Sequence, residues 1–188
     1  EFMSSRGSRV SGYPGSREAS DYVEDAFRRL GVGDVRREEF EITVPLDLGA
    51  SLIVPEWGET EIELHGLWPN LVRTPSVPVE GIDASLVYAA SGEYGSFDGI
   101  DLAGTVVLME FNSWDHWLRL AALGARAIIF IEPEKTSFLQ SLGKTSDIPL
   151  NLPRFWIDRE DGLKLRRRLL GESPASLPVR LHSRMDWK

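Results

Sequence analysis

The sequence predicts an α/β fold in which a parallel βαβ centre joins a more antiparallel β layer, with an extra helix at the N-terminus. Three observations predict it. Residues Thr105 to Ile131 read as strand, helix, strand. The stretch before them is a series of short β-type runs broken by proline and glycine. Of the 188 residues, 42% are hydrophobic, enough for one ordinary domain to bury a substantial core.

The elements follow in order. Glu1-Phe2-Met3 reads as a cloning remnant before an introduced start, so the natural protein is expected to extend beyond both ends. Ala19, Tyr22, Val23, Ala26, Phe27 and Leu30 recur at helical spacing and predict a helix over Ser16 to Leu30. Ser16 is the expected N-cap, Arg28 and Arg29 suit the negative end of the dipole, and Gly31 closes the helix. From Val35 the period changes to two. Phe40, Ile42 and Val44 alternate with Glu39, Glu41 and Thr43, which predicts a half-buried strand ended by Pro45.

Ser51 to Val54, Glu61 to Leu64 and Leu86 to Ala89 give further short strands, separated by residues such as Pro55, Gly58, Pro69 and Gly81. Then come strand Thr105 to Glu110, helix Ser113 to Leu123 and strand Ala127 to Ile131. The last of these is apolar throughout and therefore central. A loop from Glu132 to Leu152 leads to a strand at Arg154 to Ile157. A helix capped by Asp158 and closed by Gly171 follows, and a last strand covers Val179 to Leu181. The domain division expected is a lead-in over 4–34, one domain over 35–182, and 183–188 as the start of a linker to a further domain.

Charge and composition exclude several functions. The net charge is −8, and its distribution is uneven: residues 41 to 115 hold 13 acidic groups and a single basic one, Arg73. A nucleic-acid partner needs a basic stripe to neutralise phosphates and is not expected. No apolar run approaches the roughly 20 residues of a spanning helix, so direct membrane insertion is not expected either. Cysteine is absent, which removes thiol nucleophiles and Cys-ligated zinc.

The remaining catalytic seeds are missing too. His65, His116 and His182 fall on three different elements and start neither His-x-Asp nor His-Glu-x-x-His, so no zinc or other cofactor is expected in this chain. There is no Gly-x-Ser-x-Gly elbow. The turn Phe111-Asn112-Ser113-Trp114 has no glycine with which to cradle a phosphate. Asp98 and Asp101 lack the other oxygen ligands of a calcium loop and read as turn residues.

Six tryptophans are many for this length. Trp114 and Trp117 lie about one helical turn apart at the start of the crossover helix. They either pack on the sheet or form a partly exposed aromatic surface beside the strand ends, where open α/β sheets bind ligands. Trp57 and Trp68, in loops, suit contacts with a neighbouring domain or a peptide. If the chain binds a partner, the candidate residues are Asn112, Trp114 and Trp117, joined by Tyr94 and Trp57, because rigid aromatics lose little entropy on contact. Of the two tryptophans at the turn, Trp117 is the one expected to face the sheet.

Several motifs carry a resemblance. Phe97-Asp98-Gly99-Ile100-Asp101-Leu102-Ala103-Gly104-Thr105-Val106-Val107-Leu108, then Ala121 through Gly124-Ala125-Arg126-Ala127-Ile128-Ile129, then Ile148-Pro149 before Arg154-Phe155-Trp156-Ile157, together resemble the successive motifs of protease-associated domains. The likeness runs from about Val35 to Leu181. It departs at Thr105, where lysine is common, and at the Trp-rich turn Asn112 to Trp117. The stretch from Ser8 to Ser16, the helix and the strand to Pro45 resemble the lead-in of zinc aminopeptidases and carboxypeptidases that carry an inserted domain of this kind.

The resemblance implies a non-catalytic module that recognises peptide or protein substrates, or covers the cleft of an adjacent peptidase domain of the same chain. Zinc would belong to that absent domain, and the setting would be extracellular or periplasmic. Two other expectations stand beside it: a small stand-alone hydrolase using Asp115 and His116, and a structural spacer in a membrane-associated protein.

Overall fold

A computed structural model of the protein describes residues 9, 11–58, 60–67, 75–144, 150–171 and 175–188. The expectations placed on Glu1 to Met3, Ser8, Trp68, Pro69, Arg73, Ile148 and Pro149 lie outside the described residues. The chain divides into two units, one of Glu1–Leu46 with Asp186–Lys188 and the other of Asp47–Met185.

In the first unit, helix α1 covers Pro14–Arg29, starting two residues before the expected Ser16. Pro14 explains the difference. Its fixed φ and missing N–H suit the first turn, so Tyr13 takes the N-cap position and the Ser16 N–H donates to the Tyr13 carbonyl at 3.0 Å. Arg28 and Arg29 fill the last turn, and Gly31, at φ 76°, closes it as expected. The apolar stripe of α1 is mostly uncovered. Ala19 is buried, while Tyr22, Val23, Phe27 and Leu30 are exposed.

The alternating run Glu39 to Val44 does not form the expected strand. Phe40 and Ile42 are exposed, and a strand needs a partner for its edge and a cover for its apolar face. Among the described residues the pairing it finds is at its end, where Val44 and Lys188 exchange backbone hydrogen bonds of 2.8 and 3.1 Å. Pro45 opens the next strand instead of ending this one, which is where a sheet tolerates proline.

Among the described residues seven strands follow: β1 (Pro45–Ile53), β2 (Glu61–Gly66), β3 (Ile82–Tyr88), β4 (Val106–Glu110), β5 (Ala127–Ile131), β6 (Arg154–Ile157) and β7 (Ser176–Trp187). They form a closed barrel in the order β1-β2-β6-β5-β4-β3-β7. The expected parallel βαβ unit is present, with Val106 opposite Ala127 and Glu110 opposite Ile131. Parallel pairing continues to β3 on one side and β6 on the other, while β1 with β2, β2 with β6 and β3 with β7 are antiparallel. The expected parallel centre and the more antiparallel strands joined to it are parts of one mixed sheet that closes on itself, so that none of the described strands is a free edge.

Among the described residues three further α-helices lie on the barrel. α2 (Trp117–Ala122) is shorter than the expected Ser113 to Leu123, because residues 114–116 form a turn. α3 (Phe138–Leu142) lies inside the expected Glu132 to Leu152 loop. α4 (Arg159–Gly171) sits where its periodicity placed it, and β7 is much longer than Val179 to Leu181.

Two apolar clusters use the two faces of the parallel strands. Val106, Leu108, Ala127, Ile129 and Ile131 join one face of every strand together with Leu165 and Leu169 of α4. Val107, Met109, Ile128 and Phe130 point the other way, onto Trp117 and Leu120 of α2, Phe97, Leu102 and Phe111. Burial on both sides is why β5 reads as unbroken apolar sequence.

Candidate functional site

The turn from β4 into α2 carries the expected binding residues, and a network of polar side chains fixes it. Asn112 is exposed; its Nδ2 donates to the Lys135 carbonyl at 2.8 Å, and its Oδ1 accepts from the Thr136 hydroxyl at 2.7 Å. Trp114 has φ 49°, a left-handed conformation uncommon for a bulky residue. Both of its backbone polar groups are held. Its N–H donates to Gln140 Oε1 at 2.8 Å, and its carbonyl accepts from the Lys144 ammonium. Its indole remains 52% exposed.

Trp117 is fully buried and its Nε1 donates to the Gly143 carbonyl at 2.8 Å. Of the two readings open for it, packing against the sheet is the one the structure adopts. Tyr94 is exposed, in a cluster of its own: its ring faces Phe97, and the Arg119 guanidinium lies 4.8 Å from its centre. Arg119 and His116 pin the loop beside it by bonding the carbonyls of Gly92 and Ser91. Trp57 ends a short 3-10 turn, Pro55–Trp57, packs partly against the barrel cluster, and is covered by the Lys164 ammonium at 4.4 Å. The five candidate residues thus fall into three places, with Asn112, Trp114 and Trp117 together.

Three residues that sequence reasoning missed complete the turn: Gln140, Lys144 and Arg154, all buried. The Lys144 ammonium lies 5.5 and 5.3 Å from the ring centres of Phe111 and Phe130. Burial pushes its pKa down to about 8, partly offset by Asp115. Arg154 stacks on the Trp117 ring at 4.3 Å and donates from Nη1 to the Lys144 carbonyl at 2.6 Å. Its Nε and Nη2 are buried without a hydrogen-bond partner among the described residues, and burial lowers its pKa to about 10. Nothing in the sequence marks these cations as internal, since one sits in a loop and the other opens a short strand.

A second polar group links the ends of the parallel strands to α4. The Tyr88 hydroxyl and Arg166 Nη1 both donate to Glu110 Oε1, at 2.6 and 2.8 Å. Burial and the adjacent carboxylate push the Tyr88 phenol well above its ordinary range.

The three histidines sit in separate places. His65 stacks on Trp156 and faces Asp158 at 3.3 Å, His116 bonds the Ser91 carbonyl through Nδ1, and His182 packs at Gly81. Among the described residues no group of three or more His, Asp or Glu side chains converges where it could hold an ion. Asp101 is a turn residue as expected, its carboxylate accepting from the Ala103 N–H at 3.0 Å. No described helix is long and apolar enough to cross a membrane.

No protein-family model matches the sequence, and no curated protein does. Solved structures similar over the whole of this chain include two peptidases. One is an aminopeptidase from Aneurinibacillus sp. strain AM-1, at 22% identity and a TM-score of 0.53; the other is a peptidase M28 precursor from Shewanella amazonensis SB2B, at 13% and 0.58. The chain spans 43% and 46% of their lengths, so the shared fold is that of a part of each peptidase chain.

Proposed function

We propose that the chain is a non-catalytic module of a zinc metallopeptidase, of the protease-associated type, which recognises polypeptide substrate or borders the cleft of a peptidase domain. The observation that carries this reading is the connectivity of the two units. The polypeptide leaves the first unit after Leu46, builds the whole of the second, and returns at Asp186, where Lys188 pairs with Val44. That is the topology of an insertion, and domains are tolerated as inserts where two chain ends lie together.

The first unit supports the same reading. Among its described residues the buried hydrophobics are Ala19 and Val44, while the α1 face, Phe40 and Ile42 stay exposed. So little buried apolar surface does not make a domain, and such a face fits an α/β partner domain that would cover it. The likeness to peptidase chains more than twice as long as the matched part agrees with this. The scattered, engaged histidines also favour a binding role over hydrolysis by Asp115 and His116.

The test is an assay of the purified chain, with added zinc, against aminoacyl and peptide reporters. The expected result is no turnover above buffer. Turnover that disappears in His116→Ala would replace the module reading with a self-contained hydrolase.

A further inference from the structure

Arg154 brings a guanidinium into the interior and leaves half of it unanswered. The side chain has no exposure, and with a pKa of about 10 it is charged at neutral pH. Guanidinium groups only donate, so each N–H needs an acceptor. The Trp117 ring covers one face at 4.3 Å, and Nη1 donates to the Lys144 carbonyl at 2.6 Å. Nε and Nη2, whose N–H bonds run parallel along one edge, are buried and have no hydrogen-bond partner among the described residues. A buried charge left unpaired is strongly unfavourable, and native proteins set a partner against it.

The same edge has a consistent use elsewhere in the chain. Arg36 grips Asp34 through Nε and Nη2 at 2.7 and 2.9 Å, Arg168 grips Glu56 with both bonds at 2.9 Å, and Arg180 grips Asp83 at 2.7 and 3.2 Å. Each is a two-pronged bond to one carboxylate. For Arg154 the carboxylates at or beyond the ends of β4, β5 and β6 are engaged elsewhere. Glu110 holds Arg166, Glu132 and Glu134 hold Arg159, Asp158 faces His65, and Asp115 acts on Lys144. Lys144 is itself a cation with no exposure, so it adds to the uncompensated charge. A water molecule accepts hydrogen bonds but brings no negative charge.

We infer that the edge formed by Nε and Nη2 of Arg154 binds a small carboxylate from solution, of the size of formate or acetate. Its oxygens accept from Nε and Nη2 in parallel, as the side-chain carboxylates do on Arg36, Arg168 and Arg180. The Trp117 ring and the Lys144 carbonyl fix the plane in which the fork lies. A group with no exposure is out of reach of another protein's side chain, which limits the ligand to a small ion. The inference is independent of what the module recognises.

Two measurements on the full chain test it. Isotope-labelled formate should show saturable NMR line broadening with the wild type, reversed by acetate. Unfolding in sodium formate and in sodium chloride at equal ionic strength should show extra stability in formate. At about a hundred times the dissociation constant, the folded-to-unfolded ratio should rise by about a hundredfold. Arg154→Met loses this response, and Arg154→Lys, which keeps the charge without the fork, loses the preference for formate over chloride. If neither variant folds, the wild-type broadening decides. No broadening, equal responses to formate and chloride, or a formate preference retained in either variant overturns the inference. So does a response that appears only in Asp147→Asn, because the chain then supplies its own carboxylate from a position outside the described residues.

Discussion

The Trp117 indole N–H donates to the Gly143 carbonyl at 2.8 Å, joining the first residue of α2 to the residue that ends α3. The same ring carries Arg154 on its face and is buried in the apolar cluster that includes Val107, Ile128 and Phe130 of the parallel strands. Trp117→Ala should therefore cost about 3–5 kcal/mol, as for other large buried aromatics. Trp117→Phe keeps most of the packing and removes the donor, with an expected loss of about 1–3 kcal/mol. Urea midpoints at unchanged m-value read both, and a Phe variant as stable as wild type would show that the hydrogen bond contributes nothing.

Gly162 lets α4 approach the sheet closely. A Cβ there would lie 2.8 Å from Ile131 Cγ2 and 3.1 Å from Ile157 Cγ2, both branched side chains in a packed core. Alanine gains about 0.5–1 kcal/mol of helix propensity, but overpacking costs about 1–3 kcal/mol, so Gly162→Ala should destabilise the chain on balance. Gly171, in the same helix, has open space around its Cβ position. Gly171→Ala should then be neutral or stabilising by up to about 1 kcal/mol. Equal effects at the two positions would contradict this packing.

What could be read from the sequence divides along a physical line. Ala127 to Ile131 was legible because both faces are buried, and α4 because Leu165 and Leu169 recur on one side of it. Barrel closure was not, since it depends on pairs such as His65 with Trp156, ninety-one positions apart and without a shared pattern. α3 was illegible for the opposite reason: its buried residue is Gln140 and its outward ones are apolar. Residues 39–44 show true strand alternation with no edge to pair with among the described residues of their unit beyond Lys188. The turn was legible as far as Asn112 and Trp114, but Lys144 and Arg154, which reach it only through the fold, were not.

Phe27 and Leu52 should separate the two units energetically. Phe27 is 47% exposed on the bare face of α1, whereas Leu52 has no exposure inside the barrel cluster. Phe27→Ser should change stability by no more than about 0.5 kcal/mol and lower the fluorescence of a bound hydrophobic dye. Leu52→Ala should cost about 2–5 kcal/mol. A large loss of stability in Phe27→Ser would mean that the helix face is already covered within this chain.

The pH dependence of stability should carry the signature of Lys144. Burial lowers its pKa from the ordinary 10.5 to about 8, so between these values the unfolded chain binds a proton that the folded chain does not. Its contribution to stability therefore rises with pH across that window, is complete above the unfolded pKa, and is lost as pH falls through about 8. Tyr88 acts in the opposite sense at the upper end. Its raised pKa means that the unfolded phenol ionises first, so stability falls once the pH passes the ordinary tyrosine range near 10. Arg154, lowered to about 10, adds its own rise only above that value. Lys144 is thus read most cleanly between about pH 8 and pH 10. Urea unfolding at several pH values in this interval, for wild type and Lys144→Met, isolates the contribution, because methionine keeps the apolar length and removes the titration. The wild type should gain stability relative to the variant as pH rises; parallel profiles would mean that the ammonium reaches water and that the Trp114 carbonyl is not held by a desolvated charge.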